Sequence, residues 1–289
     1  DVVGLDGQLL RLKWKANLSE EVTVDLHQEL TWQLASHPGL IGGQTVGFGL
    51  GASREPQRTL ETELELVDEP TMRLAHDLDR ASVTWFGDTF ELTVGRQGIT
   101  WGKSGLFPVA DLWTTFSPFE LDTTHKPGID AARFLYFTGT GGTLDVVVAD
   151  RGSLEDLSGG VRYAHTLGAV DLYGAAAKQW MEVMAMGGAS CVFDKVRLRA
   201  EFNEPFDLES GEFKLPRATL GAEWFASPDW RFFGEYHFNG AGARAASDYL
   251  DVASRDVAQR GEIYLLGRHY AGASASFLGV TDLNLSLTA

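Results

Sequence analysis

Apolar and polar residues alternate along most of this chain. In the clearest run Val22, Val24, Leu26, Leu30, Trp32 and Leu34 are separated by Thr23, Asp25, His27, Glu29, Thr31 and Gln33. A period of two places successive side chains on opposite faces, so the run reads as a strand with one apolar and one polar face. It exceeds the ~10 residues that a tilted membrane strand needs. Before it, Leu10, Leu12, Trp14 and Ala16 alternate with Arg11, Lys13 and Lys15, and a short turn at 17–20 joins the two.

The same unit recurs along the chain. Ala81, Val83 and Trp85 meet Phe90, Leu92 and Val94 across Gly87-Asp88, and Ala132, Phe134 and Tyr136 meet Leu144, Val146 and Val148 across 139–142. Segments 162–167 and 170–176 turn at Gly168, and 184–193 meets Val196, Leu198, Ala200 and Phe202 at Asp194-Lys195. Segments 218–224 and 230–238 turn at Ser227-Pro228-Asp229, and 270–278 turns into Leu283, Leu285 and Leu287. Turns of about two to five residues alternate with loops of about eight to thirty-five, the asymmetry of an antiparallel up-and-down transmembrane β-barrel. About 14 strands are expected, in one domain. By parity the first strand runs down from the long-loop side and the last runs back up, so a complete barrel of about 16 to 18 strands would need about one more strand before this sequence and about three after it.

One stretch breaks the alternation. Residues 96–130 combine Pro108, Pro118 and Pro127 with Trp101, Leu106, Phe107, Trp113, Phe116 and Phe119. Proline and glycine at this density exclude a long helix or a central strand, while the aromatics require packing, so the stretch is an ordered loop. Two placements are open: folded into the barrel as a constriction or plug, or on the surface with a small core of its own. In the first placement Arg96, Gln97, Lys103, Asp111, Glu120, Asp122 and Lys126 would meet the lumen.

Composition changes this picture little. The 289 residues suit a single all-β barrel. No apolar run reaches the ~18 residues of a membrane helix, and the mean hydropathy of −0.10 decides nothing, because the two faces of a barrel strand cancel. A net charge of −16 argues against nucleic acid and predicts a mild cation preference if the acids line the path. The single cysteine, Cys191, excludes an internal disulfide and a cysteine-based zinc site. Trp101-Gly-Lys-Ser104 fails as a phosphate loop, since Gln97 stands where the first glycine belongs. No G-x-S-x-G motif and no histidine pair with metal spacing occurs, so neither an enzyme nor a cofactor is expected; His27, His237 and His269 are lumen or interface residues. The acidic 61–69 segment lacks EF-hand spacing and reads as a solvated face.

Alternation aims Arg11, Lys13, Asp25, Glu29, Arg133, Asp145, Arg162, Arg197, Arg199, Arg231 and Glu235 inward. They could brace the wall as ladders of opposite charge, or set a transverse field against the acids of the loop. Bulky aromatics beside the short turns (Trp85, Phe90, Tyr136, Phe193, Trp224, Trp230) fit an interfacial girdle.

Residues 94–102 (VGRQGITWG), 108–111 (PVAD), 116–118 (FSP) and 126–130 (KPGID), with 78–80 (LDR) and 234–242 (GEYHFNGAG), resemble a broad group of porin-like outer-membrane barrels of Gram-negative bacteria, distantly related to the alginate-export porins. The resemblance covers most of the chain and implies an integral outer-membrane protein in contact with lipid and lipopolysaccharide. The expected function is passive diffusion of small hydrophilic solutes or ions, limited in size and charge by the 96–130 loop. The alternative is a structural barrel that sheathes or anchors an envelope partner protein; a homo-oligomer is compatible with either.

Overall fold

A computed structural model describes residues 4–37, 58–113, 126–150, 157–259, 263, 265–280 and 283–288. The strands are β1 (Leu5–Asn17), β2 (Val22–Ala35), β3 (Leu64–Glu69), β4 (Met72–Phe86), β5 (Phe90–Gln97), β6 (Ile129–Phe137), β7 (Gly142–Ala149) and β8 (Ser158–Leu167). They continue as β9 (Val170–Gln179), β10 (Glu182–Phe193), β11 (Val196–Asp207), β12 (Glu212–Phe213), β13 (Arg217–Phe225), β14 (Trp230–Asn239), β15 (His269–Val280) and β16 (Leu283–Thr288). All belong to one sheet, in which each strand of the path from β1 to β16 pairs with the next, while β3 and β12 are short additions to β4 and β11. Leaving out those two gives the expected strand number. The path ends at β1 and β16, and no pairing between them occurs among the described residues.

Registers follow the alternation. Thr23 faces Thr84, Asp25 faces Ser82 and Glu29 faces both Arg11 and Asp77, so the polar positions of adjacent strands share one face. The other face stays apolar and open: Leu10, Leu12, Trp14, Val83, Val94, Leu198 and Leu220 are exposed on it. Near the short turns the outward aromatics contact one another. Phe90 meets Trp85 edge-on at 5.2 Å and stacks on Phe134 at 5.8 Å, and Phe232 stacks on Trp224 at 5.6 Å and on Trp230 at 5.8 Å.

Three features depart from the sequence reading. The β9–β10 connection is two residues, Trp180 and Met181, rather than a long loop, with Trp180 at φ 46°. The strands run further than the alternation indicates because the lumen positions there (Ala175, Ala177, Met184, Met186) are apolar, which removes the polar half of the pattern. Second, part of the acidic 61–69 segment is β3, and Glu63 and Glu65 both pair with Arg73 of β4. Third, the described part of the connection 240–268 contains a 3-10 turn (Ala246–Asp248) and two short α-helices, α1 (Tyr249–Ser254) and α2 (Asp256–Gln259), with a small core of Ala243, Val252, Ala258 and Ile263.

Candidate functional site: the inserted loop and the lumen wall

Residues 98–113, after β5, lie against the polar face of the sheet. The loop begins at a bulge. In β4 the register slips so that His27 pairs with Arg80 and Gln28 with Leu78, which turns both Asp79 and Arg80 toward the base of the loop. Asp79 Oδ1 accepts from the Gly128 amide at 2.9 Å, and Arg80 donates to the Lys126 carbonyl. A β-carbon at position 128 would lie 2.1 Å from the Asp79 carbonyl oxygen, so only glycine fits there.

From this base the loop carries its apolar residues onto one wall. Ile99, Trp101, Ala110, Leu112 and Trp113 form a buried cluster with Ile129, Val147, Tyr173, Ala177, Met184 and Met186 of β6, β7, β9 and β10. Trp101 is 1 % exposed, meets Trp113 edge-on at 5.1 Å and donates from Nε1 to Asp145 Oδ2 at 2.9 Å. Gly160 of β8 leaves room for its ring, since a β-carbon there would stand 2.8 Å from it. Each large side chain buried in this way stabilises the loop by roughly 1.5–3 kcal/mol.

Wall side chains hold the loop backbone. The Glu201 carboxylate accepts from the Lys103 amide, from Ser104 Oγ at 2.7 Å and from Tyr173 Oη at 2.9 Å. Glu235 accepts three consecutive amides, Gly105 and Leu106 at 2.9 Å and Phe107 at 2.7 Å. Asn203 donates to the Val109 carbonyl at 3.0 Å, Thr219 to that of Phe107 at 2.8 Å, and Gln179 to that of Leu112. Within the loop, Asp111 accepts from the Trp101 amide at 2.8 Å and the Gly102 amide at 3.2 Å and pairs with Lys126. The described hydrogen bonds from 99–113 to the wall go to β7, β9, β11, β13 and β14.

The residues singled out from the sequence therefore divide. Arg96 is 3 % exposed and bonds Asp130 (2.9 and 3.0 Å) and the Leu78 carbonyl (3.0 Å), while Gln97 bonds the Ala131 carbonyl at 3.1 Å; both fasten the base of the loop. Arg133 forks onto Asp145 at 3.0 and 2.7 Å. Lys103 reaches Asp171 at 3.7 Å. Arg162 lies 4.6 Å over the Tyr173 ring and has no ion pair among the described residues. Arg197, Arg199 and Arg231 converge on one carboxylate, Glu223, at 3.1, 2.8 and 3.5 Å. Glu120 and Asp122 lie outside the described residues.

Asp79, Gln179, Glu201, Asn203, Thr219 and Glu223 are not in the sequence-derived set. Their signal is a polar residue at an inward register position; nothing in the sequence says that the loop backbone reaches most of them. For Glu235 the consequence is testable. Glu235→Ala leaves three amides without their acceptor, and hydrogen bonds to a charged group contribute about 1.5–3 kcal/mol each. Amide exchange at 105–107 in the detergent-solubilised protein is expected to accelerate at least about a hundredfold, with Glu235→Gln in between. Unchanged exchange in the alanine variant would remove Glu235 as an anchor.

No family model matches the chain, and no curated protein matches it. Solved structures do. OccAB2 of Acinetobacter baumannii superposes with a TM-score of 0.56 at 12% identity, covering 98% of this chain and 74% of that one. A mutant Rh. blastica porin gives 0.54 at 12% identity over 98% and 84% of the two chains. The fold is that of the outer-membrane porins. OmpF of Salmonella typhi, solved as a complex with daunomycin, gives 0.53 at 10% identity over 98% and 81%. In the porin fold seen here, the fourteen strands of the path form the wall, and residues 99–113 of the β5–β6 connection pack against it.

Proposed function

We propose that this protein is an integral outer-membrane channel for passive diffusion of small hydrophilic solutes, narrowed by the loop 96–130. The observation that carries the reading is the attachment of residues 99–113 to the polar face of β7, β9, β11, β13 and β14. Buried aromatics and wall carboxylates fix residues 99–113 against the polar inner face, where they take up width that the strands alone would leave open. The outward apolar face supplies the lipid contact, and the contacting aromatics near the short turns supply the interfacial girdle. The apolar part of the lumen wall is covered by the chain's own loop, which favours a channel over a sheath for a partner protein.

Lining charge sets selectivity, and the net charge of −16 is a poor guide to it. Glu201 and Glu235 hold loop amides, Asp111 is paired with Lys126, Asp145 with Arg133 and Glu29 with Arg11. Arg197, Arg199 and Arg231 share a single acid, which leaves positive charge in excess toward the short-turn end. The channel prefers anions. The test is single-channel recording of the purified full-length protein in planar bilayers under a salt gradient. A steady conductance with a reversal potential of anion sign is expected; a protein that stays closed overturns the channel reading, and a cation-sign potential overturns the charge assignment.

A further inference from the structure

Just beyond Gln179 and Asn203, toward the long-loop end, the described residues line a half-open cavity of about 710 Å³. Its walls come from the β9–β10 turn, from the β11–β13 connection and from the segment that carries α1 and α2. That segment is held in shape by its own small core around Val252 and Ile263. The volume lies in the range of small-molecule sites, which combine an apolar lining with a few placed polar groups.

The charges of the lining are unequal in what they already hold. Lys214 Nζ lies 2.6 Å from both Glu182 Oε1 and Asp207 Oδ2. Burial acts to lower the pKa of its ammonium, and the hydrogen bonds to Asp207 and Glu182 outweigh this and hold it above the usual lysine range. Arg255 pairs with Asp251 at 2.7 Å. Arg217 is buried in the floor beside Met184, and Glu209 stands at the exposed rim.

Arg268 differs from the others. Its Nε and Nη2 donate to the Gly242 carbonyl at 3.1 and 3.0 Å, which fixes the plane of the guanidinium from one edge. The outer edge has neither a hydrogen bond nor a carboxylate among the described residues. Two parallel N–H groups on such an edge match the two oxygens of a carboxylate. Beside it, Val257, Ile263 and Leu215 supply apolar surface.

We propose that this cavity binds small amphipathic carboxylates, with Arg268 taking the carboxylate and Val257, Ile263 and Leu215 the apolar part. It is a capture site at the long-loop end of the barrel, separate from the constriction. Calorimetric titration of the full-length protein in detergent with benzoate tests it, with benzamide as the neutral isostere. Benzoate is expected to bind, and benzamide to bind about tenfold or more weakly. Arg268→Gln should weaken benzoate by about the same factor and leave benzamide unchanged. Leu215→Glu, at a half-exposed position that tolerates a charge, should weaken benzoate by repulsion. No benzoate binding, equal binding of the two probes, or unchanged benzoate affinity in both variants overturns the proposal. Binding is read without current, so a protein that takes benzoate and never conducts would sink the channel reading and leave this one standing.

Discussion

Deletion of residues 103–123 is expected to raise the single-channel conductance about twofold or more and, in the same recording, to reduce the anion preference. The two effects have different causes. Conductance rises because the segment that loses its chain includes Leu112 and Trp113, which fill the lumen beside β9 and β10. Selectivity shifts because the deletion removes the amides of Lys103 to Phe107, the partners of the Glu201 and Glu235 carboxylates. Two acids that now act as anchors would then face the water of the pore, on the same strands, β11 and β14, as the arginines. The wall itself should survive, since every strand of the path keeps its neighbours, and β5 and β6 stay joined by 98–102 and 124–128. Conductance unchanged by the deletion would mean that the loop does not set the width. Conductance that rises with selectivity unchanged would mean that Glu201 and Glu235 do not reach the ion path.

Replacing Arg197, Arg199 and Arg231 together by glutamine should lower the anion-over-cation permeability ratio about tenfold, enough to invert the sign of the reversal potential. The three guanidiniums are held in place by more than Glu223. Arg197 and Arg231 lie over the Phe225 ring at 5.4 and 5.5 Å, and Arg199 over Phe233 at 5.6 Å, so their charge is fixed on the wall. The triple variant also leaves Glu223, which is 6% exposed, without a cation, and this contributes to the shift. Glu223→Gln is the matched control: it removes the shared acid, keeps all three arginines and should move the ratio the other way. The assignment fails if both variants move selectivity in one direction or neither moves it.

The alternation of the sequence determined the strands, their short turns and which face is apolar. These follow from a local rule, because a period of two puts each side chain on a known face once the strand exists. The runs at Val22 to Leu34 and Val196 to Phe202 needed no tertiary information, and the outward position of Trp85, Tyr136 and Trp224 came with them. The same rule failed at Ala177 and Met184, where the lumen face is as apolar as the outer one because the inserted loop covers it. That residues 99–113 pack rather than wave in solvent was legible in Trp101, Pro108 and Trp113. Where they go was decided only by the fold. Glu235 lies 128 residues beyond Phe107 in the chain, and Asn203 lies 94 beyond Val109. Contacts of that range come from the curvature of the sheet, which brings β11 and β14 round to the segment after β5, and no local pattern encodes them. For the same reason the sequence could count charges but not sort them: Glu235 and Glu223 are the same residue type at inward positions, and only the three-dimensional arrangement gives one to the backbone and the other to three arginines.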